Sequence, residues 1–208
     1  NNVIINGLSA LTNYDVYVRS ICSATDTGSW TRGTFSTAMC DSPVEVLSYD
    51  TTWTATTSEY APLGTSYYNY GYTQFIIDAA QLAGLTDDVT AFAFNSVNGT
   101  QGSYYTNMSM WFANVSDSVF TSDNFIHPDA NRTFVKVLDN ANLCYTDGGW
   151  HTFGLDTTFT WDGHSNILVS VARAHGSYSS GASFQAHSTN GYKAITDYND
   201  DDPYNVNT

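Results

Sequence analysis

Residues 166–173, Asn-Ile-Leu-Val-Ser-Val-Ala-Arg, constrain the fold most. Ile167, Val169 and Val171 alternate with Leu168, Ser170 and Ala172, so both faces of an extended segment are largely apolar. Such a segment is stable only with a neighbour on each side and cover above and below, which predicts a central strand. Ala91–Asn95, Met108–Asn114, Thr133–Leu138 and Trp150–Leu155 read as further short strands, separated by Gly, Asn, Asp and Ser turns. The one helical candidate is Thr73–Leu85, with Phe75, Ile76, Ala79, Ala80 and Leu82 apolar; the preferred reading is a strand over Tyr72–Asp78 followed by a turn near Gly84. With 4 prolines and no capping box ahead of a long periodic run, the chain reads as all-β. The expected fold is a two-sheet β-sandwich of jelly-roll type.

Charge narrows the partners. The 208 residues carry 6 Lys and Arg against 20 Asp and Glu, a formal net charge of −14. All of the acids but Glu45 and Glu59 are aspartates, which disfavour helices and favour turns and calcium loops. That charge repels nucleic-acid phosphates and anionic membrane surfaces, so neither partner is expected. Its plainest reading is solubility. No apolar run is long enough to span a bilayer, so no membrane insertion is expected. Aromatics at 15% exceed what a disordered chain carries and suit strands.

Gly7 to Ser20 runs from a turn into a strand, with Tyr14, Val16 and Val18 on one face and Asp15, Tyr17 and Arg19 on the other. Tyr14 stands three residues after Leu11, which fits a tyrosine corner. With Ser29-Trp30 and Thr34-Phe35-Ser36-Thr37, this stretch resembles the end of a fibronectin type III domain of the kind strung along secreted Bacteroidetes proteins. Such a sandwich takes about 100 residues. Residues 1–40 then correspond to its last strands, 41–50 to a linker, and 51–208 to the jelly-roll-like module. Cys22 follows one strand of the remnant and Cys40 ends the next, at the same end of a hairpin, so a disulfide and an oxidising compartment are expected. Cys144 is left over and reads as a buried thiol, with a reactive one as the alternative. Val16, Val18, Ile21, Trp30 and Phe35 form an apolar face that two strands cannot cover. Either the following sandwich or another copy of the chain covers it, or the stretch is a truncated piece of a domain with no biological meaning.

A second resemblance covers residues 50–208. It rests on Tyr70-Gly71-Tyr72-Thr73-Gln74-Phe75-Ile76, Met110 to Ser116, Gly149-Trp150-His151-Thr152-Phe153, Phe159 to Val169 and Gly176-Ser177-Tyr178. These resemble an uncharacterised β-sandwich module of Bacteroidetes surface proteins, and more distantly the jelly-roll adhesin domains of gingipain-type proteins. The resemblance implies an extracellular or cell-surface location, no known enzymatic activity, and one more strand past Thr208.

Three kinds of chemistry bear on the chain: catalysis, metal binding and glycan binding. The five histidines (His127, His151, His164, His175 and His187) form no metalloprotease motif, and no nucleophile-elbow motif is present. His151 and His164 read as surface or turn residues. Asp147, Asp156 and Asp162 are glycosidase carboxylates by type only, since each sits where a turn wants an aspartate. No catalytic residue is therefore assigned. For metal, Asp197, Asn199, Asp200, Asp201 and Asp202 crowd like charges that a structural calcium ion would relieve. For glycans, Ser66 to Tyr72 packs four tyrosines into six positions, and tyrosine rings stack on pyranose C–H faces while nearby amides bond hydroxyls. Trp53, Tyr60, Tyr67, Asn69, Tyr104 and Tyr178 are the candidate carbohydrate ligands, with Tyr68, Tyr70 and Tyr72 on a shared, partly core face. Asp-Ser/Thr pairs at Thr51, Ser118 and Thr157 resemble the O-glycosylation pattern of exported Bacteroidetes proteins. Asn98, Asn107, Asn114 and Asn131 fit the N-glycosylation code, which carries little weight in a bacterial protein. The expected function is a non-catalytic adhesion or glycan-binding module of a larger secreted bacterial protein. The alternative is a structural subunit, a homo-oligomer that builds a surface filament by strand pairing at Asn2–Ile5, Tyr14–Ile21 or the C-terminal edge.

Overall fold

The computed structural model describes residues 12–21, 23, 26–37, 55–63, 67–83, 85, 88–97, 103–145, 148–174 and 183–206, without the side chains of residues 36, 55, 103, 104, 144 and 145. Cys22, Cys40, Trp53, Tyr178 and Thr51, and the side chains of Tyr104 and Cys144, thus lie outside what is described.

The first two strands form a sheet of their own. β1 (Asn13–Val18) and β2 (Thr31–Ser36) pair antiparallel with Tyr14 opposite Phe35, and those rings stack at 5.7 Å. Asp15 takes a bidentate contact from Arg32 Nη2, at 2.9 and 3.0 Å. Both partners are exposed, so the pair adds little stability. The alternation read from the sequence holds for Tyr14 and Val16, which are half-buried, while Val18, Ile21 and Trp30 remain 60%, 67% and 59% exposed.

The other nine strands are β3 (Ala55–Ser58), β4 (Tyr70–Ile77), β5 (Val89–Ser96), β6 (Ser103–Val115), β7 (Val135–Tyr145), β8 (Gly149–Phe159), β9 (Asn166–Ala174), β10 (Phe184–His187) and β11 (Ala194–Asn199). β3 pairs with β10, β4 with β9, β5 with β8, and β6 with β7, all antiparallel. This is one long antiparallel ribbon wrapped on itself. It gives a four-stranded sheet in the order β3-β10-β5-β8 and a five-stranded sheet in the order β11-β4-β9-β6-β7. The eight ribbon strands have jelly-roll topology, with β11 added beside β4. The all-β sandwich expected from the pattern is the fold.

β9 is the central strand its sequence predicts, between β4 and β6. Its inward residues Ile167, Val169 and Val171 join Phe94, Met110, Phe112, Phe153 and Phe184 in the core between the sheets. Its outward Leu168 joins a second cluster with Ile76, Ala113, Val115 and Phe120. The β6–β7 connection covers that outer face, with Ile126 and Phe134 packed on the cluster. Gln74, fully buried on the same face, secures the cover. Its Nε2 donates one hydrogen to the Ile126 carbonyl at 2.7 Å and shares the other between the Tyr72 hydroxyl at 2.9 Å and Ser170 Oγ at 3.0 Å, and its Oε1 accepts from the Ile126 amide at 2.8 Å.

The helical candidate resolves as the preferred reading had it. β4 runs through Ile77, and a single 3-10 turn, Ala79–Leu82, follows. The Gln81 side chain turns back to the Asp78 amide at 2.9 Å, which closes the turn. At the edge strand β7, register shifts against β6 and the left-handed Asn140 (φ 49°) interrupt the ladder, and Lys136 and Asp139 carry charge there. Charges and bulges of this kind blunt an edge against unwanted pairing.

His151 corrects the sequence reading. It is not a surface residue: it is 3% exposed, tilted against Phe94 at 5.6 Å, with Nε2 3.1 Å from Ser96 Oγ. Trp150, one position earlier, is the outward residue, at 42% exposure. The pairing Phe94↔His151 and Asn95↔Trp150 fixes this parity.

Candidate functional site

Strand pairing brings two separately read stretches together. β11 lies antiparallel to β4 with Asp197 opposite Tyr72, Tyr198 opposite Gly71 and Asn199 opposite Tyr70. The tyrosine run before and within β4 therefore meets the acidic loop at the end of β11. Asn69 and Asp200, 131 positions apart, clasp the junction: the Asn69 amide donates to Asp200 Oδ1 at 3.0 Å, and Asn69 Nδ2 donates to the Asp200 carbonyl at 3.2 Å.

Around this clasp the rings assemble. Tyr198 stacks on Tyr68 at 4.1 Å and on Tyr60 at 6.0 Å, and Tyr67 meets Tyr68 edge-on at 5.3 Å. Tyr67 and Tyr60 are the most open rings, at 60% and 44% exposure. The Tyr68 hydroxyl bonds to that of Tyr198, close to the Tyr67 phenol and the Asp200 carboxylate. Burial first, and then these three neighbours, raise the Tyr68 phenol above its ordinary value. Fixed groups hold each ring-bearing segment. Buried Arg173 donates from Nη2 to the Tyr68 carbonyl at 2.7 Å. Buried Thr73 donates from Oγ1 to the Tyr60 carbonyl at 3.3 Å and lies 2.8 Å from Thr196 Oγ1. The aromatic edge is thus set before any ligand arrives, which lowers the ordering entropy of binding.

A second pair lies on the outer face of the five-stranded sheet, where Tyr204 stacks on buried Tyr72 at 5.8 Å. The Tyr204 hydroxyl bonds Asn199 and Asp197; burial first, and then Asp197, push it up to about 12. Tyr72 faces Gln74 and Phe125 and belongs to the packing, as the shared-face reading had it.

Of the candidate carbohydrate ligands, Tyr60, Tyr67 and Asn69 come together here. Tyr104 lies in β6, opposite Cys144. The sequence reading missed Tyr198, the ring that joins Tyr60 to Tyr68. Its one signal is a lone tyrosine inside the acidic run, where charge dominates the pattern.

The acidic loop also takes shape at this end. Asn199 Oδ1 accepts the amides of Asp201 and Asp202, both at 2.9 Å, and Asp197 Oδ1 accepts the Tyr198 amide at 2.9 Å. Among the described residues no group of three or more His, Cys, Asp or Glu side chains converges. Ser118 and Thr157 are exposed, Ser118 in the β6–β7 connection and Thr157 on β8.

Of the glycosidase-type carboxylates, Asp147 lies outside the described residues, and Asp156 lies on β8 rather than in the turn expected of it. Asp156 accepts the Asp139 amide at 3.0 Å. Asp162 Oδ1 accepts the amides of His164 and Ser165 at 3.0 and 2.7 Å, a turn as the sequence implied. Burial alone would raise the Asp162 carboxyl, but hydrogen bonds from Ser165 and His164 outweigh it and hold the group below the usual carboxylate range. A carboxyl held ionised is a poor general acid. A cleft of about 360 Å³ opens at the opposite end of the five-stranded sheet, lined by Asn114, Asn131, Val135, Phe159 and three threonines, 133, 158 and 160; it contains no titratable side chain.

No helix among the described residues is long and apolar enough to cross a membrane. Compared with protein-family models, curated proteins and solved structures, the chain matches none.

Proposed function

We propose that this chain is a non-catalytic, extracellular glycan-binding or adhesion module, and that its ligand sits on the Tyr60–Tyr198–Tyr68–Tyr67 edge. The observation that carries the reading is the convergence of these rings, their hydroxyls and the Asn69–Asp200 clasp at one end of a sandwich. Open phenol faces suit pyranose C–H groups, and the adjacent hydroxyls, amide and carboxylate suit sugar hydroxyls.

A glycan array followed by calorimetry on its best hit tests the reading. Tyr198→Ala is expected to weaken binding at least tenfold, about 1.4 kcal/mol, while far-UV circular dichroism stays unchanged. An array with no hit, or a Tyr198→Ala variant that binds as the parent does, would sink it.

One observation favours self-assembly as a second reading. Val18, Ile21 and Trp30 leave large apolar side chains in water at one end of the β1–β2 sheet, and Tyr17 is exposed on its other face; a two-stranded sheet is marginal alone. Under that reading, light scattering finds oligomers that grow with concentration and that a Val18→Ser/Trp30→Ser double variant disperses. A monomer at every concentration would remove it.

A further inference from the structure

We propose that the Tyr67–Tyr68–Tyr198–Asp200 edge takes a protonated amino-sugar residue, with its ammonium group among the phenol oxygens and the Asp200 carboxylate and its pyranose against the open tyrosine rings. The inference deepens the glycan reading above and rests on it.

Acceptor chemistry comes first. Asn69 engages Oδ1 of Asp200, and Oδ2 has no partner among the described residues. The rings of Tyr68 and Tyr198 stack with their hydroxyls together, Tyr67 stands next to them, and the Asp200 carboxylate is near enough to act on the Tyr68 phenol. An ammonium group brings three donors and no acceptor. A carboxylate oxygen with two or three phenol oxygens is a matching set of acceptors, and the ring faces beside them attract a cation as well.

The charge ledger of the whole chain points the same way. Each of the six Lys and Arg residues is engaged elsewhere or buried. Arg32 pairs with Asp15, Arg132 with Asp117 and Asp129, Lys136 with Asp139, and Lys193 with Asp78. Arg19 lies over the Trp30 ring at 4.7 Å. Arg173 sits beneath the site, 2% exposed, on the Tyr68 carbonyl. One buried cation thus stands against the exposed Asp197, Asp200, Asp201 and Asp202, and none of these four makes an ion pair among the described residues. The raised Tyr68 phenol reports the same field, since Asp200 is among its causes after burial, Tyr198 and Tyr67. A uronic acid would be repelled here and a neutral sugar would be tolerated. A sugar bearing a free amine would supply the missing countercharge. A lysine side chain offers the same ammonium on a bare alkyl stem. The pyranose adds a C–H face for Tyr67 or Tyr60 and hydroxyls for Asn69 Oδ1, which selects the saccharide over a basic peptide.

The test is calorimetry on the full chain at mildly acidic pH, where the amine is protonated and the aspartates are still ionised. The probes are a glucosamine oligomer, its N-acetylated counterpart, a galacturonate oligomer and oligolysine. The glucosamine oligomer is expected to bind about tenfold more tightly than the N-acetylated one, and galacturonate least. Added salt should narrow the gap. Asp200→Asn keeps the Oδ1 acceptor for Asn69 and should bring the glucosamine oligomer down to about the affinity of the N-acetylated one, removing most of the preference. Tyr198→Ala should weaken both. Equal binding of the two oligomers, or a preference untouched by Asp200→Asn, overturns the amino-sugar inference and leaves the glycan reading standing. Oligolysine binding as tightly as the glucosamine oligomer overturns it in favour of a cationic peptide. No binding of any saccharide overturns the glycan reading itself.

Discussion

Replacing Gln74 with leucine is expected to destabilise the sandwich by about 3 kcal/mol, or roughly 10 °C in melting temperature. Leucine fills the space but offers neither donor nor acceptor. Tyr72 and Ser170 can still bond each other after the change. The amide and carbonyl of Ile126 cannot be satisfied so simply, because both point at Gln74, at 2.8 and 2.7 Å. An orphaned, partly buried backbone group costs about 1–3 kcal/mol, and here two arise together. The loss concentrates in the β6–β7 connection, so amide exchange should rise around Ile126 before it rises in β9. Gln74→Glu sharpens the test. Its carboxylate keeps an acceptor for the Ile126 amide, loses the donors and places a charge in a buried site. Burial raises the folded-state pKa of that glutamate above its unfolded value, so the folded state binds more protons. Relative to the parent, the variant should be least stable near neutral pH and recover as pH falls toward the ordinary glutamate range. Urea denaturation reads both variants. A Gln74→Leu change within about 0.5 kcal/mol of the parent would show that Phe120, Ile126 and Phe134 hold the connection without the amide.

Phe153→Ala should cost about 3–5 kcal/mol. Phe153 has no exposed surface and stacks on Phe94 at 5.5 Å and on Phe92 at 5.6 Å. Phe94 also meets Phe184 of the short strand β10 edge-on at 5.2 Å. A void at Phe153 therefore removes the stacking partner of two β5 rings at once, one of which also supports Phe184, and aromatic neighbours fixed by strand pairing relax little into it. Trp150→Ala, three positions earlier on the same strand, removes a larger side chain that is 42% exposed and should cost under about 1 kcal/mol. Urea denaturation of both variants gives the contrast directly. Similar losses would mean that the β8 parity is wrong and that His151 and Phe153 do not face the core.

Much of the candidate site was written in local chemistry. Tyr67 and Asn69 were separable from Tyr68, Tyr70 and Tyr72 by alternation alone, and Tyr72 does lie in the packing while Tyr67 lies in water. Tyr198 was not recoverable that way. It stands in a run whose dominant signal is charge, and its importance comes from what β11 lies beside. His151 failed for a related reason: a strand's alternation says which residues share a face, but not which face is the core when one side presents Trp150 and Thr152 and the other His151 and Phe153.

The sequence alone determined that the chain is all-β, that the segment over 166–173 is a central strand, and that β4 ends in a turn rather than continuing as a helix. These follow from side-chain periodicity and turn chemistry, which act over a few residues. The tertiary structure alone decided that β11 lies on β4, that Asp200 meets Asn69, and that Gln74 ties down the β6–β7 connection. Those contacts span 52 to 131 positions. Which distant segments meet is decided by the wrapping of the whole ribbon, where each pairing must bury both faces of β9 at once, and no local pattern encodes that choice.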